Sequence, residues 1–168
     1  PLKNIYLGKN LVKQAKKLNL NSLQKNFSNK KYLIKRNFNH KKLAILLSQN
    51  EVIAVARERE EFGARALGNR SIIANPSNYK VVQNINESIK NRDFWMPFAL
   101  SILKENHKKY IDNKKNFDCS YMTMSFDTKK DFFEKIKAGC HPYDKTVRPQ
   151  ILDKASNPNY YSIIFNFY

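Results

Sequence analysis

Two cysteines, four glycines and six prolines in 168 residues already exclude several kinds of protein. Cys119 and Cys140 stand far apart in no C-x-x-C arrangement, so neither a disulfide-stapled secreted module nor a cysteine zinc site is expected. So little Gly and Pro excludes collagen-like and linker-like chains. No apolar run approaches the roughly 18–20 residues that cross a bilayer. No N-terminal segment has the pattern of a signal peptide, which makes a cytoplasmic, reduced setting the expectation. His40, His107 and His141 lack metal-ligand spacing, and no metal site is expected. What remains is 42% hydrophobic and 12% aromatic, too apolar for disorder and of a length for one domain.

Acidic residues are also few, 14 against 31 Lys+Arg, for a net charge of +17. Such a charge invites nucleic acid, an anionic membrane surface or a phosphorylated ligand as partner. Its distribution tempers that: the excess is 12 in residues 1–50, 1 in 51–100 and 4 in 101–168. The plainer reading of the N-terminal excess is a solvated surface rich in Lys and Asn, since charge argues about solubility and association. Arginine behaves differently. The chain has seven, and four of them (Arg57, Arg59, Arg65, Arg70) fall in one short window with Gly63 and Gly68. Guanidinium grips phosphate or carboxylate at two points, which a lysine cannot do.

Periodicity predicts helices over Asn10–Leu20, Asn39–Asn50, Tyr79–Lys90 and Thr128–Ala138. Strands are predicted over Lys31–Phe38, Val52–Ala56, Ser71–Ala74, Pro97–Leu103, Ser120–Phe126 and Val147–Leu152, with a charged connection at Asn106–Asn116 and an aromatic-rich end at Asn159–Tyr168. Strands interleaved with helices, without repeats or a linker, predict a single α/β domain.

Three clusters carry chemistry. Arg59 to Ser71 reads as a loop between two strands that could offer guanidiniums and backbone N–H groups to a polyanion. The plainer alternative is an Arg–Glu ion-pair cluster, because Glu58, Glu60 and Glu61 sit beside the arginines. Asn86 to Ala99 places Lys90 and Arg92 at a helix end before an aromatic run: either capping of the helix dipole or a cationic clamp against an apolar wall. His141 to Gln150 gathers residue types that bind anions, though His141 alone reads more naturally as a structural histidine.

The stretch Glu61-Phe62-Gly63-Ala64-Arg65-Ala66-Leu67-Gly68-Asn69-Arg70-Ser71-Ile72 resembles the E-x-G-P-R-A-L-G-N-R-S-I signature of the NodU/CmcH carbamoyltransferases. Asn86–Ala99 is similar to that family's N-x-x-I-K-x-R-x-x-x-x-P-F-A, Thr146–Gln150 to its T-x-R-P-Q, and Tyr6-Leu7-Gly8 to its Y-L-G, all in family order. The resemblance implies a YrdC-like domain, a twisted mixed sheet with flanking helices, spanning 1–168 and belonging to a longer two-domain enzyme. The start at Pro1 agrees with an excised segment. In the family, this domain makes carbamoyl adenylate from ATP and carbamoyl phosphate, usually with Mg²⁺. An N-terminal kinase-like domain, which holds the family's metal site, passes the carbamoyl group to a hydroxyl of a sugar or other small molecule.

Carried to matching positions, the resemblance implies catalytic roles for Lys90, Arg92 and Arg148. It implies substrate or nucleotide contacts for Arg59, Arg65, Asn69, Arg70, Ser71, His141 and Thr146. Bringing two polyanions together needs fixed cations that offset their repulsion. The departures are Ala64 for Pro, Leu100 for the Pro that often follows P-F-A, one extra residue between His141 and Thr146, and Glu58, which adds a carboxylate beside the proposed phosphate loop. Two further readings stand beside this one. A YrdC-like double-stranded RNA-binding module would use Lys13, Lys16, Lys17, Lys30 and Lys31. An inactive interaction domain is the other, with Glu58 as its motive.

Overall fold

A computed structural model describes residues 5–10, 38–93 and 95–168. The predicted helix over Asn10–Leu20 and strand over Lys31–Phe38 therefore lie, apart from Asn10 and Phe38, outside the described residues, as do the lysines of the RNA-binding reading.

Helix α1, His40–Ser48, begins where the Asn39 side chain accepts from the Lys42 N–H at 2.9 Å, satisfying one orphan donor of the first turn. It turns Ala44 and Leu47 inward and ends before Asn50, whose φ of 66° turns the chain into β1, Ile53–Ala56. Strand β2, Arg70–Ile73, pairs antiparallel with β1, with Ile53 opposite Ile73 and Ala56 opposite Arg70. Residues 57–69 thus form the loop of a hairpin. Helix α2, Tyr79–Ile85, runs straight into a π-helical turn, Asn86–Lys90.

Strand β3 is Ser101–Leu103, followed by a 3₁₀ turn at Lys104–Asn106 and the one-turn helix α3, His107–Tyr110. A 3₁₀ turn at Lys130–Phe132, helix α4 at Phe133–Ile136 and a second 3₁₀ turn at Lys137–Gly139 follow. Strand β4, Gln150–Leu152, pairs parallel with β3, and helix α5 spans Pro158–Phe167. Pro158 sits at the first helical position, where its missing N–H costs nothing, and Asn157 caps the helix by accepting from the Tyr160 N–H.

The β3–β4 pair is a wall between two cores. Ile102 and Ile151 face a cluster with Leu100, Tyr110, Ile111, Phe126, Ile136 and Val147. Leu103 and Leu152, the next residues along, face the opposite cluster with Leu47, Ile73, Tyr160 and Ile163. Alternate residues point to opposite faces of a strand, so a parallel pair covered on both sides is apolar at both of these positions, while Ser101 and Gln150, opposite each other at its start, pair through a hydrogen bond of 3.2 Å from the Ser101 hydroxyl. α1 packs on α5 to close the second cluster.

The chain is mixed α/β, as its sequence predicts. Among the described residues, however, its strands pair as two two-stranded sheets instead of joining one twisted sheet. Four local predictions also need correction. Ser120–Phe126 is not a strand: Met122 has φ 57°, which breaks an extended run, and only Phe126 bridges to Val147. Thr128–Ala138 is not one helix but a short α turn flanked by two 3₁₀ turns. Pro97–Leu103 and Val147–Leu152 each shorten to three strand residues, Ser101–Leu103 and Gln150–Leu152; residues 97–100 line a cleft, and the Leu100 carbonyl still accepts the Gln150 N–H at 2.7 Å.

Candidate functional site

The hairpin loop folds around one carboxylate. Glu61 has a fully buried side chain, and its Oε1 accepts the backbone N–H groups of Leu67 and Asn69 at 2.7 Å and, more weakly, that of Arg70 at 3.3 Å. Its Oε2 takes the Arg70 Nε at 3.0 Å, while Arg70 Nη2 donates to the Glu61 carbonyl at 2.7 Å. Burial alone would raise the Glu61 pKa. The Asn69 N–H, the Arg70 guanidinium and the Leu67 N–H outweigh it and hold the carboxyl below its ordinary value.

The other polar residues of the motif bind the loop to its surroundings. Asn69 donates to the Arg59 carbonyl at 2.7 Å and accepts from Asn157 Nδ2 at 3.0 Å. Ser71 Oγ accepts the Gly68 N–H at 2.8 Å. Arg59 ties residues 7 and 8 to the loop through their carbonyls, at 2.8 and 3.1 Å. The Leu67 carbonyl accepts from both Tyr6 Oη and Gln150 Nε2. Gly68, at φ 109°, presses against Tyr160, where an added Cβ would stand 2.3 Å from a ring carbon. No side chain fits there. Burial pushes Tyr160 up to about 12, so its hydroxyl stays protonated while it pairs with Ser101 Oγ at 2.7 Å.

Between this loop, the end of α2 and residues 97–101 lies a cleft of about 510 Å³. Arg65, Arg70, Lys90 and Arg92 all line it, together with Ser71, Ser101, Gln150 and Tyr160. No Asp or Glu does. Val81, Ile85, Leu100 and Ile164 add an apolar wall. Arg92 also lies 5.7 Å from the centre of the Phe98 ring, a cation–π distance. Cations without a carboxylate, beside an apolar wall, suit a ligand with several phosphates and a flat apolar part.

Of the residues predicted from sequence, Arg65, Arg70, Ser71, Lys90 and Arg92 meet at this cleft; Arg59, Asn69, His141, Thr146 and Arg148 do not line it. Arg59 and Asn69 support the loop from behind. His141 and Thr146 close a turn of their own, the His141 N–H donating to the Thr146 carbonyl at 2.8 Å and the Thr146 N–H to Asp144 Oδ1 at 2.9 Å. Thr146 lines a separate cavity of about 330 Å³, and Arg148 is exposed outside both cavities. Glu58 is not on the cleft either; its carboxylate accepts from Asn159 Nδ2 on α5.

Sequence reasoning missed Tyr160, Ser101 and the organising role of Glu61. Only Glu61 carried a signal: it opens the motif and belongs to the ion-pair alternative, which its bond to Arg70 realises. Mg²⁺ is held in proteins by one or two carboxylates together with substrate phosphates. The cleft offers hydroxyls, an amide and cations, and no group of three or more His, Cys, Asp or Glu among the described residues could hold a metal. The donor set does not fit a protein-held Mg²⁺.

The family model described as carbamoyltransferase C-terminus matches residues 44–168. The chain belongs to that family. Among relatives of this carbamoyltransferase C-terminal chain, an uncharacterised protein of Methanocaldococcus jannaschii is 37% identical over 124 residues, covering 74% of this chain and 20% of the relative. The nodulation protein NolO of Bradyrhizobium diazoefficiens is 31% identical, covering 72% and 22%. Nodulation protein U of Sinorhizobium fredii is 32% identical, covering 68% and 20%. The chain thus spans about a fifth of the length of the curated relatives it matches. No helix among the described residues is long and apolar enough to cross a membrane.

Proposed function

We propose that this chain is the adenylate-forming domain of a longer O-carbamoyltransferase, working beside an N-terminal kinase-like domain that binds the acceptor, a sugar or other small molecule bearing a hydroxyl. One observation carries the reading: Arg65, Arg70, Lys90 and Arg92 line one cleft that no carboxylate of the described residues lines. Carbamoyl phosphate, ATP and one water balance carbamoyl adenylate, phosphate and pyrophosphate. Bringing two polyanions to that reaction requires fixed positive charge, placed where negative charge gathers. Arg70 is held in place by Glu61, so its remaining donors face the ligand without reorganisation. Arg65, Lys90 and Arg92 take the other phosphate oxygens, and the apolar wall takes the base. The same cations do the neutralising that a metal would otherwise share.

Calorimetric titration of this chain with carbamoyl phosphate and with a non-hydrolysable ATP analogue tests the reading. Both are expected to bind, EDTA leaving the affinities unchanged, and release of phosphate and pyrophosphate is expected only with both substrates present. Failure of both ligands to bind, together with an Arg65→Ala substitution that leaves a full-length enzyme unaffected, would overturn it. Retention on double-stranded RNA that falls steeply with salt, with no nucleotide binding, would favour the RNA-binding alternative.

A further inference from the structure

Lys90 and Arg92 are separated by one residue and line the same cleft. A regular helix advances about 100° per residue, so positions two apart stand about 200° around the axis and face away from each other. Helix α2 escapes that geometry at its end. Its last turn widens to the π form over Asn86–Lys90, closed by the Asn91 N–H on the Asn86 carbonyl at 2.6 Å. Asn91 then reverses the chain in the left-handed region, at φ 45° and ψ 53°. Single π turns inside helices occur often at functional sites. Met122, which also lines the cleft, has a left-handed φ of 57°, so two non-glycine residues accept unfavourable backbone geometry at or beside this one cavity.

We propose that Asn91 is a positioning residue: its left-handed backbone, and not its side chain, turns Lys90 and Arg92 onto a single phosphate-bearing ligand. The inference rests on the reading of the cleft as a polyanion site. Asn91 is exposed, and its side chain forms no hydrogen bond among the described residues, which leaves its conformation as its contribution. Asparagine is one of the few non-glycine residues that visit this region readily.

The test is a comparison of Asn91→Gly, Asn91→Ala and Asn91→Val, with calorimetric affinity for ATP read beside the melting temperature. Glycine adopts the left-handed region freely, so Asn91→Gly should stay within about twofold of the unsubstituted protein. Asn91→Val should bind about tenfold more weakly, the change that about 1.4 kcal/mol produces, with Asn91→Ala between them. In a Lys90→Ala, Arg92→Ala background, Asn91→Val should weaken binding no further, because the cations it misplaces are gone. A purely structural role would lower the melting temperature of Asn91→Val and leave its affinity at the unsubstituted level, which overturns the proposal. Equal losses in Gly, Ala and Val overturn it as well, since they would point to a side-chain contact. If the unsubstituted protein binds no ATP, the polyanion reading fails and takes this proposal with it.

Discussion

In the loop from Arg57 to Arg70, Glu61, Asn69 and Arg70 are bonded into the loop and Arg59 ties it to residues 7 and 8, while Arg65 lines the cleft. In the segment from Asn86 to Ala99, the two cations make no ion pair among the described residues and stand exposed at the cleft. Both segments carry motif residues, and only their surroundings separate scaffold from contact. Asn69, 2% exposed, is bound on both sides of its amide, and Arg59 reaches only backbone carbonyls. Arg70 belongs to both groups, pinned by Glu61 on one edge and open to the cleft on the other. A motif letter marks a demand on a position; whether the demand comes from the fold or from the ligand is decided by what the side chain touches.

The comparison predicts a graded series of effects. Glu61→Ala should be the most damaging, about 3–5 kcal/mol by chemical denaturation, because it leaves three backbone N–H groups and a guanidinium without their acceptor. The same carboxyl should govern acid stability. Its native pKa is depressed, so its stabilisation is present above the unfolded carboxylate value of about 4.3 and is lost as pH falls through the lower native value. Glu61→Gln should flatten that acid limb in a pH series of melting temperatures. An acid limb identical in both proteins would remove Glu61 from the centre of the loop.

Gly68→Ala should cost about 2–3 kcal/mol, combining a strained left-handed φ with a clash on Tyr160, and it should unsettle the loop without touching the end of α2. Lys90→Ala and Arg92→Ala should act the other way round. Stability should change by less than about 0.5 kcal/mol, while affinity for the ATP analogue falls about tenfold for each. If Arg92→Ala instead unfolds the protein and leaves ligand affinity intact, the division between scaffold and contact is drawn in the wrong place.

Much of this architecture can be read from the sequence where local signals and tertiary packing agree. Asn39 before an apolar periodicity starts α1, and Val52–Ala56 contains β1. The reading fails where local preference is overridden. Ser120–Phe126 alternates like a strand, but Met122 turns the chain through the left-handed region, which no alternation reveals. Thr128–Ala138 has helical spacing yet stays in short turns between the two 3₁₀ segments. At the site, the arginine-rich window and the Lys90–Arg92 pair are visible as composition. Tyr160 is not, because a buried tyrosine beneath a glycine more than ninety residues away leaves no local pattern. Nor is the left-handed turn at Asn91, since asparagine is abundant throughout this chain.

The amide bridge from Asn157 to Asn69 spans 88 residues of chain, and the tyrosine that supports Gly68 follows three residues later. During synthesis, at roughly 5–20 residues per second, the arginine-bearing hairpin leaves the ribosome several seconds before the helix that braces it. The parallel pairing of β3 with β4 is delayed in the same way, because such long-range contacts form slowly. Until α5 emerges, the nascent chain presents a cluster of unbraced guanidiniums in a cell full of nucleotides and RNA. In biosynthetic order the cleft is therefore completed only once α5 has been made, well after the arginines that line it.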